Sequence, residues 1–214
     1  DEKSFQLADE EFYHATKVMR NKIGDSIFAT DGKGEIYEGV ITSIDKQNIF
    51  ADVIKYYSYK NRLSKFTFCI PNLRNPDRFK FAIEKCVELG ITNFLLFNSE
   101  RSVSKSFNID RINKILLSAM KQSLLSFLPI VEVYDSILKF GELNAVKVLF
   151  EQSSENKLAN QVFDETKNYY MIFGPEGGFS EKEMLQIHPT IILNLAENRL
   201  RSETAIIKAA SLIS

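Results

Sequence analysis

Apolar and polar positions alternate closely through the first third of the chain. Residues 26–30, 35–44 and 49–57 are short runs rich in β-branched and aromatic side chains, the pattern of strands with one buried face. Asp31-Gly32-Lys33-Gly34 separates the first two runs, and glycine accepts the positive φ that a tight hairpin turn requires. A helical spacing over residues 10–19 precedes them. Closely spaced strands without long helices predict a small barrel or sandwich. After Lys65 the rhythm changes to strand, helix, strand, helix. Phe66 to Ile70 and Asn93 to Phe97 are short apolar runs, and between them Asn75-Pro76 supplies an N-cap and a first-turn proline. A helix is therefore expected to run to Leu89 and close at Gly90. A longer helix is expected from Asp110 to about Phe127, halted before Pro129, and a strand over Val146 to Phe150. This alternation predicts an α/β unit with a mainly parallel sheet covered by helices on both faces. The domain boundary falls between residues 65 and 66, giving domains 1–65 and 66–214.

The last third concentrates the glycine and charge signals. Tyr169 to Phe173 reads as a strand followed directly by Gly174-Pro175-Glu176-Gly177-Gly178. Ser180 with Glu183 makes a capping box that starts a helix ending near His188-Pro189. Ile191 to Leu195 is a further strand, 196–202 a loop, and Glu203 onward a helix with Ala205, Ile206, Ala209, Ala210 and Ile213 on its inner side. Both loops then lie at the carboxyl ends of strands, where open α/β sheets bind ligands.

Composition narrows the chemistry. With 214 residues, 44% apolar and 26% charged, the chain has enough apolar surface to bury a core. No run approaches the roughly 18 apolar residues of a membrane span, and Asp1-Glu2-Lys3-Ser4 is too polar for a signal peptide, so a cytoplasmic protein without a membrane partner is expected. The chain starts without methionine, which leaves room for a short preceding piece such as a strand. Two cysteines, Cys69 and Cys86, and two histidines, His14 and His188, form neither a disulfide framework nor a metal-ligand spacing. No metal is expected, and no serine or cysteine sits in a recognisable nucleophile setting. Chemistry is therefore expected to rest on a cofactor.

A formal net charge of −1 argues against coating nucleic acid with the whole surface. Local basic runs remain: Lys17, Arg20 and Lys22, then Lys60, Arg62, Lys65, Arg74, Arg78, Lys80 and Lys85 against Asp77 and Glu84. A solvated helix face or linker accounts for such runs more simply. Arg74 and Arg78 are candidate nucleic-acid contacts on charge alone.

In the glycine loop, Gly174, Gly177 and Gly178 let the backbone turn sharply and approach a ligand closely, although a structural turn needs the same residues. The loop matches neither the phosphate-binding nor the dinucleotide fingerprint, and Glu176 repels phosphate while suiting hydroxyls or positive charge. In the second loop, Asn198, Arg199, Arg201 and Glu203 lie within six residues. Glu203 near a helix N-terminus is favourable through the helix dipole alone. Arg201, between apolar Leu200 and a helix that must be buried, is the stronger functional candidate.

Taken together, IFGPEGGFSEKE and LNLAENRLRSETA resemble the paired signature of the RsmE family, SPOUT-class methyltransferases of small-subunit (16S) ribosomal RNA. HATKVMR from His14, Gly24-Asp25, EKCVELG from Glu84, Glu100-Arg101-Ser102, and AMKQS from Ala119 with Pro129 follow in similar order along nearly the whole chain. The resemblance implies an N-terminal PUA-like RNA-binding β-barrel, a C-terminal SPOUT α/β domain with a deep trefoil knot, and a homodimer. It implies S-adenosyl-L-methionine as cofactor, held by the segment after Phe150, the GPEGG loop and the segment from Leu193 to Ala205. Phe150, Gly174, Glu176, Gly178, Leu193, Leu195 and Leu200 are then cofactor-site candidates. The implied reaction methylates N3 of a uridine in small-subunit ribosomal RNA, free or in the assembled 30S subunit. Arg201 is the candidate for stabilising the uracil anion, and Glu203 the candidate proton acceptor. His14, Lys17, Arg20 and Arg101 match positions of RNA contact. The chain departs from the family at Ala196, where glycine usually follows leucine, at Asn198, where a basic residue is common, and at Leu125, where arginine often stands. Ala196, Leu125 and the missing net positive charge motivate the alternative of a catalytically weak RNA-binding or ribosome-assembly factor on the same fold. A protein binding another adenine nucleotide is a third reading, weakened by the absence of a phosphate-binding motif.

Overall fold

The computed structural model describes residues 4–102, 106–135, 137–142 and 144–214; Asp1 to Lys3 of the polar start lie outside them. It divides into two compact units, Asp1–Asn61 and Arg62–Ser214, against a boundary of 65/66 read from the sequence. The turn before the second unit's first strand belongs with that unit, because Leu63 packs against its core and accepts a hydrogen bond from Phe66 N.

The first unit holds β1 (Ser4–Leu7), α1 (Asp9–Tyr13), β2 (Ser26–Thr30), β3 (Glu35–Ile44) and β4 (Ile49–Ser58). Its strands form one antiparallel sheet in the order β1-β4-β3-β2. The three strands expected from alternation are present, and β1 adds an edge that the sequence pattern did not announce. The β2–β3 turn works as anticipated: Asp31 Oδ1 accepts from Lys33 N and Glu35 N at 2.7 and 3.0 Å, and Gly32 and Gly34 take φ of 69° and 124°. Gly39 is required for a different reason, since a Cβ there would lie 2.7 Å from the Phe5 ring. The helical stretch expected over 10–19 is α1 followed by a π-helical turn over His14–Val18. Ala15, Ile41 and Ile49 centre the small core of this unit, with Leu7, Phe12, Ile27 and Ile44 against them.

The second unit runs β5 (Phe66–Pro71), α2 (Pro76–Glu88), β6 (Asn93–Phe97), α3 (Ile109–Ser123), β7 (Ile130–Tyr134), β8 (Val146–Phe150), β9 (Tyr169–Ile172), α4 (Glu181–Ile187), β10 (Ile191–Leu193) and α5 (Ser202–Ile213). The sheet order is β10-β8-β9-β5-β6-β7, and each neighbouring pair is parallel. Successive residues of β5 serve opposite faces, as strand geometry requires. Phe66, Phe68 and Ile70 join the core beneath α2, α3 and α5, whereas Cys69 joins Phe97, Phe140, Ile172 and Ile187 on the face of α4. Helices on both sides leave little room for polar residues in the strands, which explains their continuous apolar runs.

Two boundaries differ from the sequence reading, and one strand of this unit was not expected. The helix expected to reach Phe127 stops at Ser123 because Leu124 turns left-handed at φ 51° and Leu125 N returns to Met120 O. The strand at 130–134 follows this early stop. The strand expected to reach Leu195 ends at Leu193, because the side chain of Asn194 accepts from Ala196 N and its carbonyl accepts from Leu158 N.

Cys69 and Cys86 are fully buried on opposite faces of the sheet, and burial pushes both thiols well above their ordinary range. The native protein is therefore expected to be inert to dithionitrobenzoate at pH 8, with both thiols reacting once denaturant is added. Rapid reaction of either thiol in the native state is the contrary result.

Candidate functional site

The cleft is built where the carboxyl ends of β8, β9 and β10 meet the start of α5. Phe150 closes β8, the GPEGG loop leaves β9, and residues 194–201 connect β10 to α5. Together they enclose a cavity of about 430 Å³, within the range of small-molecule sites. Phe150, Gly174, Glu176, Gly178, Leu195, Leu200, Arg201 and Glu203 all line it, as does Arg78 from α2. Leu193 does not line it. It is 1% exposed and belongs to the core, while its carbonyl accepts from Glu151 N just below the cavity. Leu193 is the last residue of β10, and its side chain points into the core, so only its backbone is near the cleft.

The glycine loop is held by outside partners. Ser202 Oγ donates to Gly174 O at 3.1 Å, Arg74 N donates to Glu176 Oε1 at 3.1 Å, and the Arg101 guanidinium donates to Gly177 O. Gly178 takes φ of 68° with nothing within 4 Å of a would-be Cβ, so its backbone conformation rather than crowding calls for glycine. Below the loop, the capping box read from Ser180 and Glu183 is present in both directions. Glu183 does more than cap: it is 1% exposed, and its Oε1 also accepts from Ser99 Oγ at 2.7 Å and Glu100 N at 2.8 Å. Burial pushes this carboxyl up, but the bonds from Ser180, Glu100 and Ser99 together outweigh it and hold it below its ordinary range.

The second loop is laced to the segment after β8. Asn194 N donates to Asn156 O, Asn194 Nδ2 to Gln152 O at 2.9 Å, Ser154 Oγ to Ile192 O at 2.9 Å, and Glu151 N to Leu193 O. Ala196 is outside the left-handed region, which among the described non-glycine residues holds Asp9, Arg20, Leu124 and His188. Its methyl group therefore carries no backbone strain. Arg201 is the N-cap of α5, with φ −71° and ψ 155° and no capping side chain. Its own side chain is exposed and has no hydrogen-bond or ion-pair partner among the described residues. Glu203, in the first turn of α5, meets Arg78 Nε at 3.5 Å with its side chain 13% exposed.

The remaining candidates fall elsewhere. His14 and Lys17 lie exposed on the π-helical turn of the first unit and Arg20 follows it with φ of 59°. Arg74 is exposed in the loop between β5 and α2, and Arg101 in the loop after β6. Leu125 is half-buried against the core of the second unit, so an apolar residue is the fitting choice there. Glu151, Gln152, Asn194 and Ser202 also line the cleft; they fall in the segments the resemblance implied, but sequence reasoning did not single them out. Only Asn194, a turn-forming residue just after an apolar run, carried any local signal. Among the described residues there is no cluster of three or more metal-ligating side chains, and no helix long and apolar enough to cross a membrane.

A parallel α/β unit with a glycine-loop cleft at its strand ends, following a small antiparallel unit, defines a cofactor-binding α/β protein with an accessory domain. Models of an RNA methyltransferase PUA domain and an RNA methyltransferase domain match residues 7–54 and 61–214. The ribosomal RNA small subunit methyltransferase E of Bacillus subtilis is 26% identical, covering 99% of this chain and 90% of its own. The crystal structure of a probable rRNA-methyltransferase from Porphyromonas gingivalis is 28% identical with a TM-score of 0.82, covering 97% of this chain and 91% of its own. The fold is also that of a ribosomal RNA small subunit methyltransferase E from Neisseria gonorrhoeae, crystallised bound to S-adenosyl methionine, at 24% identity and a TM-score of 0.83, over 97% of this chain and 90% of that one. The chain belongs to the RsmE family of RNA methyltransferases, with an N-terminal PUA-like domain and a C-terminal SPOUT-class domain.

The lowered Glu183 carboxyl sets a sign for acid stability. Its contribution is present above the unfolded carboxylate pKa of about 4.3 and is lost as pH falls through the folded value. In urea titrations, Glu183→Gln is expected to be less stable than the wild type near neutrality, with the gap shrinking below about pH 4. A gap that stays constant down to pH 3 would contradict this.

Proposed function

We propose that this protein transfers a methyl group from S-adenosyl-L-methionine to N3 of a uridine in small-subunit (16S) ribosomal RNA. The observation that carries the reading is the meeting of an unpartnered Arg201 with a glycine-loop cavity at the strand ends. Residues 62–214 are the methyltransferase domain and residues 1–61 the PUA-like RNA-binding domain.

The cavity suits the cofactor in size and in chemistry. Its glycine backbone at Gly174 and Gly178 permits close approach of a flat group, and Glu176 and Glu151 on its wall suit hydroxyls and positive charge. Phe150, Leu195 and Leu200 supply apolar walls, while Leu193 supports them from the core. S-adenosylmethionine supplies an electrophilic methyl group on a sulfonium. Uridine N3 carries its proton at neutral pH, so that proton must leave before N3 can accept a methyl group. Arg201 then stabilises the charge spread over the uracil oxygens with fixed donors. Glu203 takes the proton, and Arg78 holds its carboxylate in place. The target base enters unstacked, because N3 is buried in a paired helix.

His14, Lys17 and Arg20 on the first unit, with Arg74 and Arg78 on the second, contact RNA phosphate and set register rather than sequence. The partner is ribosomal RNA, free or in the 30S subunit, and the protein acts in the cytoplasm as a homodimer. The lacing between segments 151–158 and 192–197 supports a deep trefoil knot at this point of the chain. The weak-factor reading loses two of its motives, since Ala196 is unstrained and Leu125 serves the core.

Calorimetry is expected to show one S-adenosylmethionine site per chain, and a folded protein that binds none would sink the proposal. Arg201→Ala is expected to lower the turnover of labelled methyl transfer to 30S subunits by about 10²–10³. Cofactor affinity should stay within about two-fold, because the guanidinium acts on the base. A loss confined to cofactor affinity would remove Arg201 from the chemistry.

A further inference from the structure

We infer that Arg101 is a positioning residue for the glycine loop and that Glu183 in turn positions Arg101. The cofactor part of this inference rests on the methyltransferase reading of the cleft.

The geometry begins at the carboxyl end of β6. Residues 99–102 form a tight turn closed twice, by Ser99 N to Ser102 Oγ and by Ser102 N to Ser99 O, both at 3.0 Å. Ser99 and Ser102 are buried at 3% and 8% exposure, while Arg101 stands exposed at the corner. The turn is fastened to α4 by Glu183, which receives Ser99 Oγ and Glu100 N on one oxygen and Ser180 N on the other at 2.8 Å. A carboxylate with so little exposure is retained only where it is fully hydrogen-bonded, and three donors from two separate loops meet that condition. The α4 cap and the β6 turn are thereby held at one distance.

From that corner the Arg101 side chain lies along the glycine loop. A Cβ on Gly177 would stand 3.2 Å from Arg101 Cδ and 3.4 Å from its Cβ, so glycine leaves the space the aliphatic stem occupies. The guanidinium donates to Gly177 O. Gly177 is absent from the cavity lining, whereas Gly174, Glu176 and Gly178 around it form part of the wall. Arg101 therefore acts on the wall from behind. An RNA phosphate contact, the role its family position implies, leaves this arrangement unexplained.

The test uses the intact chain and three readouts: hydrogen exchange of amides 174–180 without ligand, S-adenosylmethionine affinity by calorimetry, and small-subunit RNA affinity across a salt series. Arg101→Ala is expected to raise exchange in the loop and weaken cofactor binding by about ten-fold each, with RNA affinity and its salt slope unchanged. Gly177→Ala should reproduce the effect by displacing the stem. Glu183→Gln should do so more weakly, and combined with Arg101→Ala it should add little, since both act through one contact. If Glu183→Gln does not fold, Ser99→Ala replaces it. Unchanged loop exchange and cofactor affinity in Arg101→Ala, with RNA affinity reduced and the salt slope smaller by about one, would make Arg101 a phosphate contact and overturn the inference. If the wild type binds no S-adenosylmethionine, the methyltransferase reading fails by itself. Loop exchange then decides alone: faster exchange in Arg101→Ala supports the positioning role, and unchanged exchange rejects it.

Discussion

A loop with three glycines in five residues must be held still from outside, because glycine loses more conformational freedom on ordering than any other residue. The GPEGG loop has one short-range bond of its own, Gly178 N to Pro175 O. Its other fastenings come from elements far away in sequence: Ser202 at the start of α5, the Arg74 amide after β5 and Arg101 after β6. Glu183 supplies the buried node beneath them. A cleft wall built of backbone becomes a defined surface only through these contacts, and the positions of Arg201 and Glu203 opposite it depend on the same junction of α5 with the loop.

The parallel sheet makes this convergence possible. Parallel strands point their carboxyl ends the same way, so every loop that leaves those ends opens on one side. Arg74 and Glu176 lie 102 positions apart in the chain and meet there. The segment after β8 and the segment after β10 are interlaced on the same side, with Asn194 bonding to residues 152 and 156 and to 158 through its side chain, amide and carbonyl. Binding groups of mixed origin thus share one cavity, while the apolar strands and the helices on both faces carry the stability.

Much of the fold was legible because its signals are local. Strand alternation in the first unit, the Asp31–Gly34 turn, the Asn75 cap with Pro76, and the Ser180 to Glu183 box each depend on residues within a few positions of one another. The errors arose where a local signal was overridden. Pro129 was a reasonable stop for α3, but Leu124 ended the helix earlier by adopting a left-handed conformation that leucine rarely takes. Strand β10 lost two residues to the demands of Asn194. At the cleft, the glycine loop and the Arg201 loop were recognisable from composition and resemblance, whereas the burial of the Leu193 side chain in the core was not, because strand parity at a strand end is decided by where the strand stops.

By itself the sequence determined the succession of elements, the parallel α/β character of residues beyond 65, and the two loops that form the cleft, since periodicity, caps and turn chemistry are written over short distances. Only the tertiary structure decided what those loops touch. The second role of Glu183, the lodging of Arg101 against Gly177 and the pairing of Arg78 with Glu203 are contacts between residues separated by many tens of positions. Their existence follows from strand order, which no local pattern encodes.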